Sequence, residues 1–417
     1  MRPNKINPTN KKDSLLAKWT LRCAACGWDG PEDAYYVGCP KCEGFLEVKF
    51  DKVAAHQVDA TQPSIFRFHP VMPFDMSGAD LTSYEDIEET PMVFAEKLSA
   101  DLDIELWLKD EMVMPSGTWK DREGFVSLYR LLRNKVSDLF VFSSGNTGTS
   151  LARSATMMRG PRLHLVVPKA SEKRVATYRK FFDPEFVKLY FFDGSNDECI
   201  GESKRLSKEM GIRAEGGFSN YARREGLKLF GLELALSWDK RCDWYVQPVA
   251  GGIGVYSLHK AYRDIGRRGD CPRILAVQAE ICAPMVNAWR DRSATLEDRH
   301  VPAEVVPSPY VRVLRTRRPA DSYPILKPIV DEVRGDFVAA NEREIHEGLR
   351  ALYRDDYYRN LYRETGKLCG LEPATALAGI VQAVKAGTIA KGSRVVLNVS
   401  GAAKDGDLNL AWLDGLL

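Results

Sequence analysis

Pro115-Ser116-Gly117-Thr118-Trp119-Lys120-Asp121-Arg122 is the stretch on which the reading of this chain turns. Upstream, Ile104 to Leu108 is an apolar run of strand character, and downstream Phe125, Leu128, Leu131 and Leu132 share one face of a helical pattern. The stretch is therefore a strand-to-helix corner, where α/β proteins place their chemistry. A lysine there is open to three readings: a solvated charge, a phosphate contact or a nucleophile.

Two more corners of the same kind follow. Ser143-Ser144-Gly145-Asn146-Thr147-Gly148 comes after the apolar run Leu139 to Phe142 and opens a helix carrying Leu151, Ala155 and Met158. Its glycines permit close backbone approach, and its hydroxyls, amide and helix start suit a carboxylate, although an N-cap with turn glycines would look the same. Gly251-Gly252-Ile253-Gly254 follows the strand-like Trp244 to Val249 and precedes a helix over Tyr256 to Tyr262. Free amides at a positive helix end suit a phosphate. A dinucleotide site competes for that reading, but the spacing is not GxGxxG, and the Lys120 and asparagine loops would be left without a role.

Taken in order, these loops resemble those of the pyridoxal phosphate enzymes of fold type II, the tryptophan synthase β family, and within it the threonine synthase group. The resemblance runs from Thr90-Pro91 through Leu108-Lys109-Asp110-Glu111 to the Lys120 motif, which resembles S-F-K-D-R-G, and on to the S-S-G-N-T-G loop. It continues with Asn220 and Arg224-Glu225-Gly226-x-Lys228, the Gly251 loop, Glu372-Pro373-Ala374, and Val399-Ser400-Gly401 with Lys404-Asp405. The resemblance implies that Lys120 forms a Schiff base with the cofactor aldehyde and, once displaced, serves as the base at the substrate α-carbon. It further implies that Asn146 touches the ring oxygen and that Ser143, Ser144 and Thr147 hold the substrate carboxylate. Gly251, Gly252, Ile253 and Gly254 would cradle the cofactor phosphate through main-chain amides. Ser400 would face the pyridine nitrogen, where a hydroxyl leaves the ring a weaker electron sink than an aspartate would, suiting elimination and replacement over transamination.

Departures from the pattern bear on the substrate. Trp119 stands for the usual Phe, Glu123 for the usual Gly, and S-G-A-A-K-D is one residue shorter than T-G-x-G-x-K-D. Lys169 to Lys180 lies where the resemblance would put the family's substrate-phosphate contacts and is rich in Lys173, Arg174, Arg179 and Lys180, but its order does not match cleanly; a basic helix face is also simply a solvated one. Arg312 to Pro319 carries four arginines that could present cations to an anionic substrate or lie on a surface loop.

A separate unit precedes the catalytic part. Cys23-x-x-Cys26, twelve residues and Cys39-x-x-Cys42 have the spacing of a four-thiolate zinc ribbon, with redox dithiols the alternative for either pair alone. Four protein ligands leave no position for water, so the metal should stabilise a segment too small to have its own core. Asp29, Glu32, Asp33, Glu43 and Glu47 argue against nucleic acid as the ribbon's partner.

Composition sets the remaining bounds. The chain has 417 residues, net charge +2 and 28% charged residues, consistent with a soluble protein without a polyanion partner. No apolar run approaches the ~18 residues of a membrane span, and a cytoplasmic location is expected. Cys199, Cys242, Cys271, Cys282 and Cys369 are scattered and odd in number, unlike a disulfide framework. Apolar runs at Leu163 to Val167, Val187 to Phe192, Asp243 to Val249, Arg273 to Val277 and Arg394 to Val399 alternate with helical patterns. The expected architecture is α/β: a flexible tail (1–20), a ribbon (21–50), and a catalytic domain (51–417) of two open doubly wound subdomains, the smaller inserted at about 137–212. The resemblance also implies a homodimer acting on a small amino-acid substrate. Three functions follow: a threonine-synthase-like enzyme converting O-phosphohomoserine to threonine and phosphate, a cysteate-synthase-type enzyme joining O-phosphoserine and sulfite, and a zinc-ribbon interaction protein without catalysis.

Overall fold

Among the described residues, three sheets order the chain. The computed structural model describes residues 18–51, 58–60, 62, 64–73, 87–143, 145–176, 179–305, 308–311, 314–405, 407–413 and 415–416. The expected tail lies outside these as far as residue 17, and Trp19 and Thr20, grouped with it in the sequence reading, already belong to the first strand.

Strands β1 (Trp19–Cys23), β2 (Asp29–Gly30) and β3 (Leu46–Phe50) make an antiparallel three-stranded ribbon in the order β2-β1-β3. The largest sheet has six strands in the order β12-β11-β10-β13-β5-β4. Its members are β4 (Met92–Phe94), β5 (Glu105–Asp110), β10 (Trp244–Pro248), β11 (Arg273–Ala279), β12 (Asp336–Ala340) and β13 (Arg394–Val399), and only the edge pair β4–β5 runs antiparallel. A parallel four-stranded sheet, β8-β7-β6-β9, is built from β6 (Asp138–Phe142), β7 (Arg162–Pro168), β8 (Val187–Phe192) and β9 (Arg213–Ala214). β10 is buried along its whole length and β13 almost so, as parallel strands covered on both faces should be.

The helices are α1 (Glu96–Leu102), α2 (Lys120–Arg133), α3 (Asn146–Met158), α4 (Glu172–Ala176), α5 (Asn196–Glu209), α6 (Tyr221–Leu236), α7 (Ile253–Asp264), α8 (Pro284–Arg290), α9 (Tyr323–Glu332), α10 (Glu342–Arg354), α11 (Asp356–Thr365) and α12 (Leu371–Lys385). Apolar α12 packs across β10, β11, β12 and β13, while α6 packs against both α2 and α7. Contact between α2 and α3 joins the two parallel-sheet units beside the Lys120 corner. None of the described helices is long and apolar enough to cross a membrane.

The ribbon has no separate interior: Leu21, Leu46 and Val48 enter the same apolar cluster as Phe230, Tyr256 and Leu258 of α6 and α7. Arg224 is buried over the ring of Phe45 at 4.0 Å and donates to the Leu46 carbonyl. Lys260 donates to the Val48 carbonyl (2.9 Å), Tyr256 to Glu47 (2.8 Å) and Arg130 to Glu32 (2.6 Å). Two of the acidic side chains read from the sequence as a repulsive surface, Glu32 and Glu47, are thus committed to holding the ribbon on the catalytic body.

Candidate active site

The Lys120 corner is closed by its own side chains. Asp121 is fully buried and accepts from the Ser116 amide (2.7 Å) and hydroxyl (2.6 Å), and Gly117 takes the positive φ (+71°) that the turn requires. Asp121 and Glu123 in the first turn complement the positive end of α2. The loop is stitched to the end of β13: Trp119 N–H and Thr118 Oγ1 both donate to the Ser400 carbonyl (3.2 and 2.9 Å), and Ala402 N–H donates to Gly117 (2.8 Å). Lys120 and Ser400, 280 positions apart in sequence, are fixed in one place by these bonds.

The Lys120 amine donates to Glu123 at 2.8 Å. Burial pulls its pKa below the ordinary lysine value, the Glu123 carboxylate opposes that and Arg223 adds to it. Glu123 is itself fully buried and also accepts from Thr147 Oγ1 (2.9 Å) and Arg223 Nη2 (3.0 Å). Burial would raise its pKa, but Arg223 and Lys120 together hold it below the usual carboxylate range.

Of the asparagine loop, Ser144 lies outside the described residues. Ser143 accepts the amides of Gly145 (3.2 Å) and Gly148 (2.8 Å), so its hydroxyl organises the loop. Asn146 begins α3 and donates to Glu372 at 3.4 Å, while its buried Oδ1 finds no partner among the described residues. That orphaned atom is what a site awaiting a polar ligand looks like.

At the start of α7, a Cβ on Gly251 would meet nothing within 4 Å, and Gly252 adopts φ +79°. A Cβ on Gly254 would instead strike the Trp119 indole and sit 2.6 Å from Gln247 Oε1. The glycines therefore give open space in front of the helix amides on one side and tight packing of Trp119 behind them, which fits a phosphate group at a helix N-terminus.

A cluster of charges adjoins Asn146. Arg174 of α4 is buried, pairs with Asp407, and leaves Nε and Nη2 without a hydrogen-bond partner among the described residues; with Tyr310, Leu371, Glu372 and Thr375 it lines a small cavity. Lys404 donates to Thr149 (3.4 Å). Burial and then Arg174 bring its pKa down to about 7, against the opposing pull of Glu372, Asp407 and Asp121. Within the basic stretch 169–180, Lys169, Lys173 and Arg179 are exposed, so Arg174 alone of the four is turned inward; the side chain of Lys180 lies outside the described set. In the second basic stretch, Arg312 and Val313 lie outside the described residues, Arg317 pairs with Asp197 (2.8 Å) and Arg318 with Asp298 (2.7 Å). Sequence reasoning missed Arg223 and Glu372 as site residues; Glu123 and Arg174 were noticed without a partner.

The four ribbon thiols lie within 4.8 Å of one another, with Cys23–Cys42 at 3.5 Å and Cys26–Cys39 at 3.7 Å. Bonds of about 2.3 Å in a tetrahedron separate sulfurs by about 3.8 Å, so the set fits zinc.

A half-buried lysine amine, a glycine-lined helix start and an asparagine oxygen with no partner among the described residues, held where the mostly parallel six-stranded sheet and the parallel four-stranded sheet are joined, define a cofactor-dependent α/β enzyme. The sequence profile described as "Pyridoxal-phosphate dependent enzyme" matches residues 84–401, and the chain belongs to that family. It is 28% identical to a cysteate synthase of Methanospirillum hungatei over 411 residues, covering 93% of this chain and 90% of that one. A threonine synthase of Methanosarcina acetivorans is 25% identical, with 91% of each covered. Among solved structures, a pyridoxal 5'-phosphate-dependent aspartate racemase superposes with TM-score 0.62 (14% identity, 80% of this chain and 96% of that one). Maize serine racemase gives 0.61 (18% identity, 80% and 93%), and these likenesses bear on the fold, that of type II pyridoxal phosphate enzymes.

Proposed function

We propose that the chain replaces the phosphate of an O-phosphorylated amino acid, with the cysteate-synthase-type reaction of O-phosphoserine and sulfite ahead of the threonine-synthase-type reaction on O-phosphohomoserine. The observation that carries this reading is Arg174. A buried guanidinium with two donors unused among the described residues, close to Lys404 and lining a cavity with the Glu372 that Asn146 donates to, is a preformed partner for an oxyanion. Similarity to cysteate synthases over nine-tenths of the chain favours β-replacement and sulfite over the γ-substrate read first from the sequence. The net exchange breaks the Cβ–O bond, its electrons leaving with phosphate, and forms a C–S bond from the sulfite lone pair.

When bound, the cofactor supplies the electron sink that acidifies the substrate α-carbon. Lys120 would anchor it and remove and return the α-proton, Asn146 would face its ring oxygen, and the amides of Gly251, Gly252, Ile253 and Gly254 would hold its phosphate. Ser400 would face the pyridine nitrogen, and Ser143 with the main-chain amide of Thr147, whose hydroxyl is committed to Glu123, would orient the substrate carboxylate. Cys23, Cys26, Cys39 and Cys42 hold a structural zinc. A purely binding role fits less well, because the ribbon packs one face against α6 and α7 of a chain that belongs to an enzyme family.

The test is phosphate release by the purified protein from O-phosphoserine with and without sulfite, and from O-phosphohomoserine. Sulfite-dependent release from O-phosphoserine with cysteate as product is expected; threonine formation from O-phosphohomoserine alone would restore the other reading. Borohydride reduction followed by peptide mass spectrometry should place the cofactor on Lys120, and a label on any other lysine overturns the site.

A further inference from the structure

Glu123 occupies a position at which the family pattern carries glycine, and its surroundings give it a role. One helical turn places it beneath Lys120 on α2. Its two oxygens are divided: Oε2 takes the Lys120 amine (2.8 Å), and Oε1 takes Thr147 Oγ1 (2.9 Å) and Arg223 Nη2 (3.0 Å). Arg223 is anchored in turn, since its Nη1 donates to Glu215 (3.2 Å) and its Nη2 also to Thr147 (3.1 Å). Glu215 accepts from the Gly217 amide (2.9 Å) and Asn220 (2.8 Å). The carboxylate is therefore locked from behind, with one oxygen left for the lysine.

We propose that Glu123 is a positioning residue for Lys120, holding the amine and its proton at a fixed point whenever the lysine is not bonded to cofactor. The proposal rests on Lys120 being the cofactor lysine. A fully buried carboxylate stays ionised only with cationic partners, which Arg223 and Lys120 supply, and its pKa is indeed held low. The charged groups facing the amine are Glu123 from its own helix, Arg223 from α6 and Glu215 from the loop ahead of it. Burial and Arg223 favour the neutral amine; Glu123 is the nearest group favouring the charged one. A base that collects a proton from substrate and returns it must carry it meanwhile as the ammonium, and an ionised carboxylate 2.8 Å away stabilises that ammonium without releasing the proton to solvent.

The experiment uses the full chain stripped of cofactor with hydroxylamine. Pyridoxal phosphate is added between pH 5.5 and 9.5, samples are quenched with borohydride, and the Lys120 peptide is quantified by mass spectrometry to give the rate of covalent capture against pH. In Glu123→Gln the midpoint of that profile should fall by about one to three pH units, because the group that favours the ammonium is gone. Glu123→Asp, which keeps the charge, should return the midpoint most of the way. An unmoved midpoint in a folded Glu123→Gln protein that still labels at Lys120 overturns the proposal, even if its melting temperature is lower, since a purely structural residue would act that way. Labelling at another lysine in the unmodified chain would instead overturn the site assignment beneath it, so the two failures are distinct.

Discussion

Arg122→Met should be among the most destabilising single changes available in this chain. Arg122 and Glu111 are fully buried, and Lys109 and Glu233 nearly so. Arg122 bonds Glu111 through Nε (2.9 Å) and Nη2 (3.1 Å) and Glu233 through Nη2 (2.9 Å), while Lys109 reaches Glu233 and the Thr90 carbonyl, each at 2.6 Å. Two cations and two carboxylates balance. Methionine fills similar volume but leaves one carboxylate in excess in a water-free site, a cost of about 3–5 kcal/mol. Set against a typical domain stability of about 5–15 kcal/mol, that is a large fraction. The pH dependence has a definite sign. Burial would raise the Glu233 pKa, yet Arg122 and then Lys109 bring it below the ordinary value, so its contribution is full at neutral pH and fades as acid protonates it. Without Arg122 burial prevails and the carboxylate titrates at higher pH, so the deficit of the variant should shrink between pH 7.5 and 5.5 as one proton restores neutrality. Urea unfolding midpoints of wild type and variant at both values measure this. Arg205→Met is the control: Arg205 is exposed and, among the described residues, pairs with Glu202 and Glu209 on its own helix, so its loss should shift the midpoint far less than that of Arg122. A loss below about 1 kcal/mol for Arg122→Met at pH 7.5, or a gap that widens toward pH 5.5, would refute the reasoning.

Three further outcomes are expected. Cys39→Ser should lose zinc by elemental analysis and lower the melting temperature while the folded fraction keeps its cofactor absorbance; protein purified free of zinc would remove the ribbon assignment. Gly254→Ala should press on Trp119 and Gln247 and weaken cofactor binding, overpacking of about 1–3 kcal/mol corresponding to roughly five- to 150-fold in Kd by absorbance titration. Trp119→Phe in the same chain should recover part of the loss, and equal affinity of Gly254→Ala and wild type would count against the tight packing. Sulfate, a dianion throughout the range, should inhibit several-fold more tightly at pH 6.5 than at pH 8.5, because Lys404 gains its charge below about pH 7. That dependence should vanish in Lys404→Met, and a flat profile in the wild type would detach Lys404 from the anion site.

What the sequence made legible follows from the range of the interactions concerned. The Lys120, asparagine and glycine loops are each written in one short segment, because a strand-to-helix turn imposes its own residue types; the structure places α2, α3 and α7 at those loops. β4 and β9 passed unread because they are short, β9 consisting of two exposed residues, and β12 because only Phe337 and Ala340 of its five residues are buried, which leaves no continuous apolar run. The charged partners were invisible for a different reason. Glu123 registers in sequence only as a missing glycine, since Thr147 and Arg223 arrive from 24 and 100 positions away. Arg174 looks like one cation in a basic face until Asp407, 233 positions on, turns it inward. The ribbon shows the same limit: the CxxC spacing is local and was read, while the docking through Glu32, Glu47 and Arg224 depends on α6 and α7 being present beneath it. One consequence is physical. Glu32 grips Arg130, Arg130 donates to Asn220 (2.9 Å), Asn220 holds Glu215, Glu215 holds Arg223, and Arg223 holds Glu123 against Lys120. The ribbon and the Lys120 corner are thus joined by one continuous chain of hydrogen bonds, none of whose long-range links is visible in a local stretch of sequence.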